Sequence, residues 1–210
     1  TRARGIMFTG IVQGLGNILT IKEQGGISRI QVELPEAYRQ RLEVGQSIAI
    51  NGVCLTVVQH TKQGRVYFDA IDETLRLTNL SSLRVGDQVN VERAVRFGDE
   101  IGGHLLSGHI HGLATVTDLV DDNDNLAIYW KPPLALRKYV LPKGYVALNG
   151  CSLTVGERFD EFIFSVYLIP ETRRVTTFGS ILQGDVLNLE VDMQTQAIVD
   201  SVERALEQRS

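Results

Sequence analysis

The sequence predicts an all-β chain built from two tandem copies of one small barrel or sandwich unit, and three observations predict it. The segment SIAINGVCLTV at Ser47–Val57 recurs as YVALNGCSLTV at Tyr145–Val155, a shift of 98 positions. The same shift lays Gly10 on Gly108, Gly14 on Gly112, Pro35 on Pro133, Arg39 on Arg137, Glu73-Thr74 on Glu171-Thr172, and Asn90 and Glu92 on Asn188 and Glu190. Agreement over such a length without a net gap marks a duplication. Within each copy, short runs of alternating apolar residues and β-branched side chains are broken by turn residues at about 8–12 residue spacing, as in small barrels and sandwiches. Finally, Asn51-Gly52 and Asn149-Gly150 each split two apolar runs, and Asn-Gly favours the positive φ angles of a type I′ hairpin.

The elements follow in chain order. Residues 1–6 read as a lead segment or cloning remnant ahead of a start at Met7, the first copy spans 7–104, the second 105–193, and a tail 194–210. In the first copy, strands are predicted over Ile11–Lys22, Ile30–Leu34, Ile48–Ile50, Val53–Val58, Arg65–Ala70 and Gln88–Ala94, with counterparts in the second. Short helices are expected over Glu36–Leu42 and Leu134–Val140, following Pro35 and Pro133. The acidic run Asp121–Asp124 reads as a solvated hairpin loop. The tail leaves the repeat: Thr195–Gln208 places Ile198, Val199, Val202, Ala205 and Leu206 on one helical face. Such a stripe covers either an oligomer contact or the chain's own barrel.

Composition narrows the function. With 43 % hydrophobic and 22 % charged residues, the 210-residue chain is an ordinary globular one. Its 21 basic residues against 25 acidic give a formal charge of −4. That leaves no global basic field to gather nucleic-acid phosphates. Cys54 and Cys151 are too few for a disulfide framework, so a cytoplasmic location is the default. The longest apolar stretch, Phe162 to Ile169, falls far short of the roughly 20 residues of a membrane span. The apolar patch near the N-terminus is broken by Thr9, Gly10, Gln13 and Gly14 before it forms a signal-peptide core.

Strand parity then sorts the residues beyond each Asn-Gly turn. Val53, Leu55 and Val57 share the core face, whereas Cys54 and Thr56 share the polar face. In the second copy Cys151, Leu153 and Val155 point inward, and Ser152 and Thr154 point outward. Cys151 is thus a small core residue, whereas Cys54 stands where Ser152 stands in the other copy and is a candidate functional thiol. Matching positions that carry different polar chemistry are the most informative: Cys54 and Ser152, Ile11 and His109, Gly45 and Lys143, Asp69 and Tyr167, Ala94 and Asp192. They suggest two pockets of like shape that treat similar ligands differently, although duplicated copies also drift. His104, His109 and His111 lack a clear acidic or cysteine partner at metal-ligand spacing, so no metal is expected. The glycine-rich stretch Gly98–Gly112 lacks the Lys-Ser/Thr of a P-loop and reads as turns.

Several motifs together resemble the riboflavin synthase family of the α-subunit type: MFTGIVQG (Met7–Gly14), NGVCLTV (Asn51–Val57), ETLRLTNL (Glu73–Leu80), GDQVNVERA (Gly86–Ala94), IGGHLLSGHIHG (Ile101–Gly112), KYVLPKG (Lys138–Gly144), SLTVG (Ser152–Gly156), LIPETRRVTT (Leu168–Thr177) and the tail DMQTQAIVDSVERAL. The resemblance implies two six-stranded Greek-key barrels, a C-terminal oligomerisation helix and a homotrimer. It implies that two molecules of 6,7-dimethyl-8-ribityllumazine exchange a four-carbon unit to give riboflavin and 5-amino-6-ribitylaminouracil, without metal or organic cofactor. The active site is then a meeting of the N-terminal barrel of one subunit with the C-terminal barrel of a neighbour.

That reaction needs a carbanion at the C7 methyl of one lumazine and addition at C7 of the other, with both rings stacked. On the matching positions, Cys54, His109, Ser152, Thr154 and Asp192 are expected to handle protons and addition. Together the two ligand shells are expected to include Phe8, Gly10, Ile11, Val12, Ser47, Cys54, Leu55, Thr56, Asp69, Ala70, Ile71, Asp72, Glu73, Thr74, His104, Gly108, His109, Ile110, Lys143, Ser152, Leu153, Thr154, Leu168, Ile169, Pro170, Glu171, Thr172 and Arg173. The Glu-Thr segments would read ribityl hydroxyls, and main-chain groups beside the glycines the pyrimidine edge. Lumazine proteins that act as fluorescent antennae share this fold without turnover. Their second copy has lost polar pocket residues that this chain retains, including Lys143, Ser152, Thr154, Glu171-Thr172 and His109.

Overall fold

Two six-stranded antiparallel barrels and a C-terminal helix account for the chain. In this computed structural model the described residues are 7–122, 125–159 and 162–208. The lead segment 1–6 and residues 123–124 of the acidic run lie outside them. The first barrel comprises β1 (Gly14–Gln24), β2 (Ile27–Glu33), β3 (Ser47–Ile50), β4 (Val53–His60), β5 (Arg65–Ile71) and β6 (Gln88–Arg93), closed in the order β1-β2-β5-β4-β3-β6. The second comprises β7 (Gly112–Asp121), β8 (Leu126–Lys131), β9 (Tyr145–Leu148), β10 (Cys151–Thr154), β11 (Phe164–Leu168) and β12 (Val186–Val191). Its order, β10-β9-β12-β7-β8-β11, leaves β10 and β11 to meet without a ladder. Gly156 N–H still donates to the Ser165 carbonyl there, at 2.7 Å, so that barrel is nearly closed.

Each barrel holds its own apolar core. Ile30, Val32, Ile48, Leu55, Val66, Phe68 and Val91 fill the first; Trp130, Ile128, Leu148, Phe164, Val166 and Leu189 fill the second. Alternation behaves as parity requires: along β4 the core-facing Val53, Leu55 and Val57 are buried while Cys54 is half-buried and Thr56 exposed. β10 repeats this, with Cys151 and Leu153 buried, Ser152 half-buried and Thr154 exposed.

Some local expectations are corrected. The helices expected over Glu36–Leu42 and Leu134–Val140 are 3₁₀ turns limited to Glu36–Tyr38 and Leu134–Tyr139. The proline before each fixes the entry into a tight turn that does not continue as an α-helix. β1 begins at Gly14, not Ile11, because residues 8–12 leave their own barrel. Two six-residue helices, α1 (Asp72–Leu77) and α2 (Pro170–Val175), follow β5 and β11, too short to show a helical period in sequence. The tail helix, α3, spans Met193–Glu207. It docks on the second barrel through Val199, through Tyr139 Oη donating to Asp200, and through ion pairs of Lys138 with Glu203 and Asp200. Ile198, Val202 and Leu206 stay exposed. Among the described residues no helix is long and apolar enough to cross a membrane.

The two barrels meet through their hairpin tips. Asn51 and Gly52 have φ of 46° and 80°, Asn149 and Gly150 45° and 79°, as type I′ turns demand. A Cβ on Gly52 would lie 2.6 Å from Gly150 N, and one on Gly150 2.7 Å from Gly52 Cα, so only glycine fits at either tip. Around this contact the buried asparagines bond within their own copy through the main chain and across copies through their side-chain amides. Asn90 N–H donates to Asn51 Oδ1 (2.8 Å) and its Nδ2 to the Asn149 carbonyl (2.9 Å). Reciprocally, Asn188 N–H donates to Asn149 Oδ1 and its Nδ2 to the Asn51 carbonyl, both at 2.8 Å. Asn79 enlarges the network, its N–H donating to Asn188 Oδ1 (2.7 Å) and its Oδ1 accepting from Asn188 Nδ2 (2.8 Å).

These contacts define two stability tests by urea denaturation. Asn188→Ala leaves the Asn51 carbonyl and two Asn79 groups without a buried partner and is expected to cost about 2 kcal/mol or more. Gly150→Ala adds steric overlap to an unfavourable φ and should cost at least as much. Unchanged midpoints for both would mean that the tips do not hold the barrels together.

Candidate active site

The residues that precede each barrel are exchanged between the two. Phe8 and Leu106 form an antiparallel bridge, each N–H donating to the other's carbonyl at 2.9 Å, and from there the segments diverge. Residues 9–12 run onto the second barrel, where Val12 joins its core; residues 107–110 run onto the first, where Ile110 packs against the core. The reason lies in the sheets. β4 pairs with β5 only from Val57 onward, and the β10 side engages β11 only from Gly156. Residues 53–56 and 151–154 therefore offer an edge, and the exchanged segments use it: Cys54 N–H donates to the Gly108 carbonyl and Ser152 N–H to the Gly10 carbonyl, each at 2.8 Å. Gly10 (φ +73°) and Gly108 (φ +76°) are required, since a Cβ would lie 2.5 Å from Ser152 Cβ or 2.6 Å from Cys54 Cβ.

Two sites of one frame result. The first gathers Cys54 and Thr56 of β4, Ser47 of β3, Phe8, and Gly108, His109 and Ile110 of the exchanged segment. The second gathers Ser152 and Thr154 of β10, Tyr145 of β9, Gly10, Ile11 and Val12, and also His104, which begins the second segment. His104 Nδ1 lies 2.6 Å from Ser152 Oγ, its ring stacks on Tyr145 at a centroid distance of 5.2 Å, and its Nε2 is buried without a partner. Burial lowers the His104 pKa, with the Asp192 carboxylate pulling it partly back, so the ring is neutral at pH 7. In the tautomer with its proton on Nε2, such a ring accepts from the hydroxyl. In the first site the Cys54 thiol has the Ser47 hydroxyl as partner, and burial raises its pKa, so it is a protonated thiol at neutral pH. Burial pushes Cys151 in the core up to about 12.

The remaining sequence-predicted residues take varied places. His109 is exposed, its N–H donating to Ser107 Oγ (3.1 Å). Asp192 caps α3, its Oδ2 accepting from Thr195 N–H (2.9 Å) and Oγ1 (2.8 Å). Lys143 is exposed and left-handed (φ 67°) where the first copy has Gly45. Leu55, Ala70, Leu153 and Leu168 are buried in the cores, so only their main chain can face a ligand. Asp69 pairs with Arg29 through two 2.7 Å bonds. Glu73 and Glu171 pair with Arg76 and Arg174, and Arg173 with Asp121. Thr74 and Thr172 carbonyls accept from Thr78 and Thr176 hydroxyls at 2.6 Å. Ile71, Asp72, Ile169 and Pro170 are exposed around the starts of α1 and α2.

Sequence reasoning missed Tyr145, although its difference from Ser47 in the repeat was readable. It also missed Glu92 and Glu190, whose place amid apolar strand residues was the signal of burial. Glu92 accepts from Thr9 N–H (2.7 Å), Thr9 Oγ1 (2.9 Å) and Gly10 N–H (3.1 Å). Glu190 accepts from Ser107 N–H (2.7 Å), Ser107 Oγ (2.8 Å) and Gly108 N–H (3.1 Å).

Comparison with known proteins agrees with this architecture. A family model described as "Lumazine binding domain" matches twice, at residues 9–94 and 107–192. Riboflavin synthase of Escherichia coli (strain K12) is 49 % identical over 204 residues, 97 % of this chain and 95 % of that protein. Riboflavin synthase of Chlamydia pneumoniae is 40 % identical over 200 residues, 95 % of this chain and 97 % of that protein. Among solved structures, LumP complexed with riboflavin superposes with a TM-score of 0.81 at 32 % identity, covering 88 % of this chain and 99 % of that one. LumP complexed with 6,7-dimethyl-8-(1'-D-ribityl) lumazine gives 0.79 at 30 % identity over the same shares. The chain belongs to the lumazine-binding family and, within that class, to the riboflavin synthase family.

The Glu92 carboxyl sets a pH dependence. Burial pushes its pKa up to about 7, against the pull of its three donors and with the Glu190 charge adding to the rise. A raised folded-state pKa contributes stability that is complete below the ordinary carboxylate range and is lost as pH rises through 7. From pH 5 to pH 8, urea midpoints of the unmodified protein should fall relative to those of Glu92→Gln, by up to about 3 kcal/mol in stability. Parallel profiles would contradict it.

Proposed function

We propose that the protein catalyses the riboflavin synthase reaction: two molecules of 6,7-dimethyl-8-ribityllumazine exchange a four-carbon unit and leave as riboflavin and 5-amino-6-ribitylaminouracil. The observation that carries this reading is one main-chain frame built twice and furnished differently, with a Ser152–His104 pair in one copy and a Cys54 thiol in the other. Two identical substrates that must act as donor and acceptor need just such an asymmetry.

On this reading each frame holds one lumazine, with main-chain groups of Thr56 and Thr154 and the exchanged glycine segments reading the pyrimidine edge. In the second barrel the neutral His104, through the Ser152 hydroxyl, takes the proton from the substrate's C7 methyl. Asp192 supports the histidine while it is charged, and Thr154 on the same strand face orients the ring. In the first barrel Cys54 stays protonated and, with His109, donates to charge that develops on the ring during addition at C7. Lys143, on its left-handed turn, brings a cation to the edge of the second frame. Holding two rings in stacking contact supplies orientation. The residues of this chain suffice for these steps, and no metal or organic cofactor is invoked. A cytoplasmic setting accords with both thiols being free.

Stacking the two ligands calls for the first barrel of one subunit to face the second barrel of a neighbour. A homotrimer would arrange this, with the exposed Ile198 and Val202 of α3 as its assembly surface.

Incubation with 6,7-dimethyl-8-ribityllumazine should yield riboflavin, read by its absorbance. Stoichiometric binding of one ligand per chain with no product would instead favour an antenna-type lumazine binder. Ser152→Ala and His104→Gln are each expected to lower kcat by about 10²-fold or more with little change in ligand affinity. Wild-type turnover in both would remove the pair from the chemistry. For assembly, Ile198→Lys combined with Val202→Lys should sediment as a monomer with its barrels folded; a persisting trimer would mean that α3 is not the contact.

A further inference from the structure

We propose that Glu92 and Glu190 are positioning residues that act crosswise: the buried glutamate of each barrel sets the geometry of the other barrel's site. Glu92 stands on β6 of the first barrel, yet the groups it holds, Thr9 and Gly10, are in the segment whose Gly10 carbonyl accepts from Ser152 N–H of the second. Glu190 stands on β12 of the second barrel and holds Ser107 and Gly108, whose carbonyl accepts from Cys54 N–H of the first. Each carboxylate thus ties a strand of one barrel to the open strand edge of the other through a single glycine.

Three features make the glutamates the agents of this arrangement. Both are buried, and each meets three donors with its two oxygens, so neither is a solvated surface charge that happens to lie nearby. The glycines they hold sit at positive φ and have no side chain of their own to fix them in place. Finally, the segments are fixed on one side by the Phe8 and Leu106 bridge and on the other by Val12 and Ile110 in the cores, so loss of a glutamate loosens the glycine between two anchors that stay. The crossing also shows in the electrostatics: Glu190 adds its repulsion to the Cys54 thiol, and Glu92 adds its own to Cys151.

The consequence is a defect in the opposite barrel. Without Glu92, Gly10 and with it Ile11 would lose their place beside Ser152. Without Glu190, Gly108 and His109 would lose theirs beside Cys54. The identity of the ligand rests on the function proposed above; the crossed geometry does not.

Amide hydrogen exchange of the full chain, with and without riboflavin, tests both parts separately. In Glu92→Gln, the Ser152 amide within residues 151–154 should lose protection by about tenfold or more while residues 53–56 change little, the size of one lost hydrogen bond. Added riboflavin should then protect 53–56 alone. Glu190→Gln should give the mirror image. Thr9→Val and Ser107→Ala, which remove one hydroxyl donor and keep the carboxylate, should show the same polarity at smaller size, so the test survives a glutamine variant that does not fold. Equal loss in both strands, or loss confined to the glutamate's own barrel, would overturn the crossed assignment. If riboflavin protects neither strand in the unmodified protein, the ligand reading fails, and the exchange pattern without ligand still decides the crossing.

Discussion

The contact of Gly52 with Gly150 is the constraint on which the rest of the molecule depends. Two hairpin tips can approach so closely that an added Cβ would fall 2.6–2.7 Å from the other's backbone only if neither carries one and both adopt the left-handed turn that asparagine and glycine accept. Once the tips touch, the side chains of Asn90 and Asn188 reach the main chain of Asn149 and Asn51 in the opposite copy, and each barrel supplies hydrogen-bond partners that the other would otherwise bury unsatisfied. The barrels are therefore docked back to back in one orientation, and that orientation brings the open edge of each β4-type strand beside the segment leading into the other barrel.

The exchange of leading segments turns a duplicated fold into two composite sites. Neither barrel has a complete frame alone, because the strand edge at Cys54 or Ser152 takes its partner carbonyl from a glycine that belongs to the other copy's entrance. The two frames make the same main-chain bond to the exchanged glycine, 2.8 Å in each. Their side chains are not. Ser152 has a buried, neutral imidazole at hydrogen-bond distance, whereas Cys54 has a hydroxyl partner and a pKa raised by burial. Symmetry of main chain with asymmetry of side chain lets one chain bind two like molecules and treat them differently.

Buried charge is the other debt of this design. Glu92 and Glu190 lie close enough to repel, and each is desolvated; three donors apiece hold them in place. An apolar residue there would avoid that penalty but would leave Thr9, Gly10, Ser107 and Gly108 with unsatisfied buried N–H groups. The carboxylates are thus explained by the segments they hold, and their retention in both copies follows from the same geometry arising twice.

The sequence by itself determined the duplication, the β class, the type I′ turns and the inward and outward faces of β4 and β10, because each of these depends on residues close in the chain: a repeat offset, a period of two, an Asn-Gly dipeptide. It also carried the family resemblance and most of the site, since Cys54 and Ser152 lie at one register of the repeat. It did not reveal the 3₁₀ character of the turns after Pro35 and Pro133, nor the short helices α1 and α2, which have too few residues to display a period. Only the tertiary structure decided that residues 9–12 and 107–110 change barrels, that His104 is the imidazole beside Ser152 while His109 is exposed, and that two glutamates are buried. Each of those facts depends on which strand edge is left open and what lies opposite it, a matter of contacts between residues some 40 to 140 positions apart, and no local pattern encodes that proximity.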